Sequence, residues 1–155
     1  MKLKNILVRG FTLIEMVVAI GITAIIVTLT VSSFVGLSNF QSIDKDSDVS
    51  LSYLEKARTQ AIDSKNFSEY GVRFASTSVT LFPGTAYTST SSNLVYNLST
   101  KVTISAISLS NGGTDIYFNK VTGESNATGT VTFQLQNSST TKKIIIYGTG
   151  LAEIQ

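Results

Sequence analysis

The hydrophobic and polar positions of this chain fall into three textures. Residues 11–43 are apolar or uncharged except for one acid, Glu15. Within that run, residues 16–35 would span about 30 Å as a helix at 1.5 Å per residue, enough to cross a bilayer. Beyond it, Leu51, Leu54, Ala57, Ala61 and Ile62 recur at steps of three and four, with Glu55, Lys56, Thr59 and Asp63 between them. That spacing predicts an amphipathic helix to about Lys65, softened around residues 38–47. With the apolar run it makes a near-continuous helix over residues 11–65, about 80 Å long. No proline precedes Pro83.

After Asn66 the period changes from helical to alternating. Residues 70–75, 79–82, 101–109, 115–119, 129–136 and 142–148 read as strands, and Asn111-Gly112-Gly113 reads as a turn. Residues 137–141, Asn-Ser-Ser-Thr-Thr, join the last two strands as a hairpin. The pattern predicts an α+β fold, a long N-terminal transmembrane and amphipathic helix packed on a C-terminal antiparallel β-sheet domain. Its parts are a head at residues 1–10, a membrane helix at 11–40, an amphipathic continuation at 41–65 and a β-rich globular domain at 66–155.

Charge is distributed unevenly along these parts. Three of the twelve basic residues, Lys2, Lys4 and Arg9, fall in the first ten positions, and the other nine face ten acids. The basic isoelectric point therefore belongs to the head and is no sign of nucleic-acid binding. Because these cations precede the apolar run, the positive-inside rule keeps the N-terminus cytoplasmic and sends the β domain to the periplasmic or extracellular side. A secretory signal would place small residues after the apolar run, and residues 30–39 offer no convincing cleavage pattern of that kind.

The chain has no Cys and no His. That excludes disulfide staples, Cys/His metal centres and nucleophiles activated by histidine. Asp115 and Glu124, the remaining carboxylates among scattered Ser and Thr, have no identifiable base or orienting partner, so an enzyme is not expected. Asp44, Asp46, Asp48 and Glu55 occupy positions 1, 3, 5 and 12 of a calcium-loop spacing, but Val49 stands at position 6, where that loop needs glycine. The plainer reading is an acidic stretch capping the second half of the helix, with Asp46 or Ser47 as N-cap. No metal or cofactor site is expected. Sequons at Asn66, Asn97, Asn126 and Asn137 follow from a composition rich in Ser and Thr.

The head carries the strongest motif. A short basic leader, Gly10, the aromatic Phe11, and Glu15 before an apolar run make the string GFTLIEMVVAIGI over residues 10–22. It resembles the class III signal of type IV pilins and pseudopilins. The resemblance implies that a prepilin peptidase cuts between Gly10 and Phe11 and methylates the new amine of Phe11. A lone carboxylate at the edge of an apolar span is costly, so Glu15 is expected to have a task. A cation within reach in a filament would be the Phe11 amine of a neighbouring subunit, and that pair would set the stagger of packed helices. The plainer alternative is a Glu15 that snorkels to the headgroups.

LEKARTQAI at residues 54–62, followed by YGVRF at 70–74 and the tail from FNKVTGES to KKIIIYGTG, resembles the GspH/FimT family of minor pseudopilins. Residues 82–100 match nothing in that pattern. The resemblance implies a minor subunit of a type II secretion pseudopilus or type IV pilus that primes assembly or sits near the tip. Alternatives are a minor subunit of a competence pilus, or an adhesive tip protein whose loop at residues 85–93 touches a surface. Its partners would be the prepilin peptidase, other pilin subunits and membrane lipid, in the inner membrane or a filament drawn from it. Some FimT-like proteins bind DNA through a basic C-terminal segment. Residues 147–155 hold Glu153 and no Lys or Arg, and Lys142 with Lys143 is the one basic pair nearby, which argues against DNA. That pair is expected at an exposed hairpin edge, blocking further strand pairing.

Overall fold

A computed structural model describes residues 10–155, with the side chains of residues 30–37 outside that description. Lys2, Lys4 and Arg9 of the basic head lie outside the described residues. The element order is α1 (Leu13–Ile62), a single 3₁₀ turn (Lys65–Phe67), β1 (Tyr70–Ala75), β2 (Ser78–Pro83), β3 (Leu94–Asn97), β4 (Val102–Leu109), β5 (Asp115–Phe118), β6 (Gly129–Leu135), β7 (Thr141–Ile146) and β8 (Ala152–Ile154). The chain divides into two compact units, residues 1–38 and 39–155.

In the second unit the strands form two antiparallel sheets, where a single sheet had been expected. One has the order β3-β2-β1-β5 and the other β4-β6-β7-β8. Phe74, Leu81, Ile116 and Phe118 from the first sheet join Val102, Ile104, Phe133 and Ile144 from the second in one core with Ile43, Leu54, Ala57 and Ala61 of α1. Each fully buried Phe or Leu in it contributes about 1.5–3 kcal/mol of transfer free energy. Ala57 and Ala61 are fully buried, because small side chains let the helix approach the strands closely. Gly71 serves the same end inside β1: a Cβ there would stand 2.6 Å from the Ile116 carbonyl oxygen and closer still to the Phe82 ring.

The helix differs from expectation at two places. Residues 38–47 are helical without interruption, and neither Asp46 nor Ser47 is an N-cap. Serines in and just after this stretch bond back onto the helix: the Ser47 hydroxyl donates to the Ile43 carbonyl at 2.8 Å, and that of Ser50 to the Asp46 carbonyl at 2.6 Å. At the other end α1 stops at Ile62 instead of Lys65, because Ser64 adopts a left-handed conformation with φ 47°.

The strands differ in detail. The alternation over residues 101–109 breaks at Ser105, where a bulge shifts the register of β4 against β6 between Ile104 and Ala106. Strand β7 is not an edge: it pairs with β6 on one side and β8 on the other, so the Lys142–Lys143 pair does not guard an open edge. Instead Lys142 reaches α1, its Nζ lying 2.8 Å from an Asp44 carboxylate oxygen.

Candidate functional site

The described chain starts with three residues of non-helical backbone, 10–12, and then enters α1. Gly10 is exposed, and among the described residues a Cβ added to it would meet nothing within 4 Å. Packing therefore does not explain the glycine. Phe11 is 80 % exposed. The Gly10–Phe11 bond lies in irregular backbone directly before α1, and both residues are exposed. Gly10, Phe11, Thr12 and Glu15 line one shallow depression.

Thr12 and Glu15 form a reciprocal cap. The Glu15 amide donates to the Thr12 hydroxyl at 3.3 Å, and the Thr12 amide donates to the Glu15 carboxylate at 3.5 Å. This is the capping box of a Thr-x-x-Glu start, with Thr12 as N-cap and Glu15 as the third helical residue. The carboxylate also sits in the first turn, where the helix dipole favours negative charge. Glu15 thus has a partner within its own chain. The signal for it, Thr12 three residues before Glu15 at the start of an apolar run, is present in the sequence.

From Phe11 to Leu29 the large apolar side chains are exposed on every side of the helix, Leu13, Ile14, Val17, Ile20 and Ile26 among them. A helix apolar all round needs lipid or other helices about it. Among the described residues no helix is long and apolar enough to cross a membrane. The span expected over residues 11–40 includes 30–37, whose side chains are outside the described residues.

The acidic stretch makes no loop. Asp44, Asp46 and Asp48 fall within about one turn of α1 and Glu55 lies about two turns further on, and two of them have partners elsewhere: Asp44 with Lys142, and Asp46 with β3. Among the described residues no three Asp, Glu, His or Cys side chains gather as a metal site. Asp46 is 1 % exposed. Its carboxylate accepts the Tyr96 hydroxyl at 2.7 Å and the Ser99 amide at 2.9 Å. Burial first, and then the hydrogen bond and charge of Asp46, push the Tyr96 hydroxyl up to about 12. Tyr53 of α1 packs on the same ring, with centroids 6.1 Å apart.

The tail glycines have a defined purpose. Arg58 Nε donates to the Gly123 carbonyl at 3.2 Å, and Gly150 packs on both. A Cβ on Gly150 would fall 1.9 Å from the Gly123 oxygen, and its φ of +80° disfavours any side chain. The Val121 amide adds a bond to the Ala61 carbonyl at 3.2 Å. Together these seat the loop before β6 and the turn before β8 on the end of α1.

The loop at residues 85–93 is largely exposed and tied to itself, with Asn93 Nδ2 donating to the Thr88 carbonyl at 2.7 Å. Tyr87 anchors it between the Phe82 ring and the Arg73 guanidinium, which lies 4.4 Å from the Tyr87 ring centre.

No curated protein and no solved structure matches this chain. Residues 7–31 match the family model of the prokaryotic N-terminal methylation motif. The match covers the basic residue Arg9, the Gly10–Phe11 bond, the capping box and the exposed apolar helix, and none of the β domain. It supports a type IV pilin-like or pseudopilin-like protein, membrane-anchored and pilus-associated, which implies processing by a prepilin peptidase and assembly with other pilin subunits.

Proposed function

We propose that the chain is a minor pilin or pseudopilin of GspH/FimT type, inserted as a single-pass membrane protein and then drawn into a pseudopilus or pilus. The observation that carries the pilin-like part of this reading is the head, while the GspH/FimT part rests on the resemblance at residues 54–62, 70–74 and the tail. The methylation motif coincides in the head with an exposed Gly10 and Phe11, directly before a capped helix whose apolar residues are exposed all round. Such a helix is what a subunit needs to leave lipid for a bundle of like helices, since both surroundings are apolar. Removal of the leader takes Lys2, Lys4 and Arg9 with it and leaves the Phe11 amine four residues before Glu15. In a filament that amine on one subunit meets the Glu15 carboxylate of the next.

The β domain then works as a contact surface, and the task of the protein is mechanical, priming assembly or standing near the tip. Lys142 is engaged by Asp44, and residues 147–155 bring no cation, which argues against DNA as a partner. The test is processing. Gly10→Leu should yield only the uncleaved precursor when expressed with a prepilin peptidase, whereas the parent chain loses residues 1–10 and gains one methyl group by mass spectrometry. Normal cleavage of the variant sinks the assignment.

A further inference from the structure

A cleft of about 330 Å³ opens where the last turns of α1 and the 3₁₀ turn face β2 and the start of β3. Ligand sites ordinarily measure about 300–1,000 Å³, so this one suits a single small molecule. Lys56 on α1 and Lys65 in the turn both line it, and both are exposed. Neither forms an ion pair among the described residues, where the paired lysines are Lys120, with Glu69, and Lys142, with Asp44. No acid is among the lining residues: Glu55, next to Lys56 in sequence, lines a separate depression with Arg58. Residues 74–100, which supply the opposite wall, carry no charge. Two like charges thus share one cleft without a counter-ion, and an anion between them would turn repulsion into attraction.

Beside the cations the lining is polar but neutral, with the amides of Gln60 and Asn66 and the hydroxyls of Tyr70 and Ser92. Tyr70 is 5 % exposed. Its hydroxyl accepts a long bond of 3.5 Å from Asn66 Nδ2, and its own proton has no acceptor among the described residues. A buried donor of that kind calls for an acceptor from outside the chain. Leu81 and Pro83 of β2, with Leu94 of β3, give the same cleft an apolar wall.

We propose that this cleft binds one acidic sugar, a pyranose ring bearing a carboxylate. The carboxylate lies against the Lys56 and Lys65 ammonium groups, which reach it as flexible point charges. Ring hydroxyls both give and accept hydrogen bonds, and so do the side chains of Gln60, Asn66, Tyr70 and Ser92. One ring oxygen takes the Tyr70 proton. The apolar C–H face of the ring covers Leu81, Pro83 and Leu94, removing both surfaces from water. A peptide needs a longer groove than this volume provides, and a nucleic-acid strand needs more than two cations. Every lining residue belongs to the unit at residues 39–155, so the site does not depend on the filament reading.

The probes are D-glucuronate, its neutral counterpart D-glucose, and acetate and inorganic phosphate as bare anions. In amide NMR of the isotope-labelled full-length chain in detergent, glucuronate should shift the signals of Gln60, Asn66, Tyr70 and Ser92 along one saturable curve. Lys56→Gln and Lys65→Gln should each weaken that binding about tenfold, the effect of one lost hydrogen bond to a charged group. Lys143→Gln, which alters an exposed lysine of β7, should leave it unchanged. Glucose, acetate and phosphate should each bind at least about tenfold more weakly than glucuronate. Acetate or phosphate matching glucuronate would make the cleft a bare anion site, and glucose matching it would leave the lysines without a part. Either result overturns the proposal, as does a titration that never saturates or one that Lys143→Gln weakens equally.

Discussion

The Asp46 carboxylate on α1 accepts a 2.7 Å hydrogen bond from the Tyr96 hydroxyl in β3, fifty positions along the chain. A second bond, from the Ser99 amide at 2.9 Å, occupies its other oxygen, so one buried acid fixes both the strand and the turn after it. Asp46→Ala would leave two donors facing an apolar gap, at a cost of about 3 kcal/mol. Tyr96→Phe removes one donor and leaves the Ser99 bond, so its cost should be nearer 1 kcal/mol. Urea unfolding of the full-length chain, followed by tyrosine fluorescence, checks the order; equal losses would show that Tyr96 is the whole of the contact.

The same pair sets an alkaline limit. The Tyr96 hydroxyl stands at about 12 in the folded chain against an ordinary 10.0. Between those values the unfolded chain gives up the proton and the folded chain keeps it. The stabilisation from this group is therefore complete below pH 10 and is lost as the pH rises toward 12. Tyrosinate absorbance on alkaline titration should show a late component, to which the raised Tyr53 and Tyr147 also contribute, that Tyr96→Phe reduces by one residue. A titration unchanged by that substitution would refute the account.

Gly150 is a position where a single methyl group should be poorly tolerated. Its Cβ would enter the space held by the Gly123 carbonyl and Arg58 Nε, in a left-handed backbone that side chains resist. Gly150→Ala should cost about 3 kcal/mol, combining a steric clash with backbone strain. Gly112→Ala is the control, since its φ of +69° is also left-handed but its Cβ would meet nothing within 4 Å. It should cost only about 1 kcal/mol. Similar losses in the two variants would mean that strain alone, without the contact to Arg58 and Gly123, explains the glycine.

What could be read from the sequence divides along physical lines. Periodicity found α1 and the strands with large buried residues, such as β1 with Val72 and Phe74, because burial writes alternation into the chain. It missed β3, whose Leu94 and Val95 are adjacent and exposed within a Ser/Thr-rich stretch, and β8, which is short and buries little. Both are edge strands without a fully buried residue. Division into two sheets rests on pairings between distant strands, which local pattern does not encode. Asp46 looked like a cap because its role depends on Tyr96, far away in sequence. The head was legible because its features, Gly10, Phe11 and Glu15, sit within six residues of one another.

Glu15 now has two candidate tasks that can be separated. Within its own chain it closes the capping box with Thr12. Between chains, on the filament reading, its charge meets the Phe11 amine of a neighbour. Glutamine at the third helical position closes a capping box as glutamate does but carries no charge. Thr12→Val does the opposite, removing the N-cap at a cost of about 1 kcal/mol and keeping the acid. If the charge is what subunits recognise, Glu15→Gln should insert and be cleaved normally yet fall about tenfold in filament incorporation, the effect of about 1.4 kcal/mol. Thr12→Val should incorporate almost as the parent does. Immunoblotting of sheared filaments against membranes measures both. The reverse pattern, with Thr12→Val lost and Glu15→Gln retained, would make Glu15 a helix cap and remove the intersubunit pair from the account of assembly.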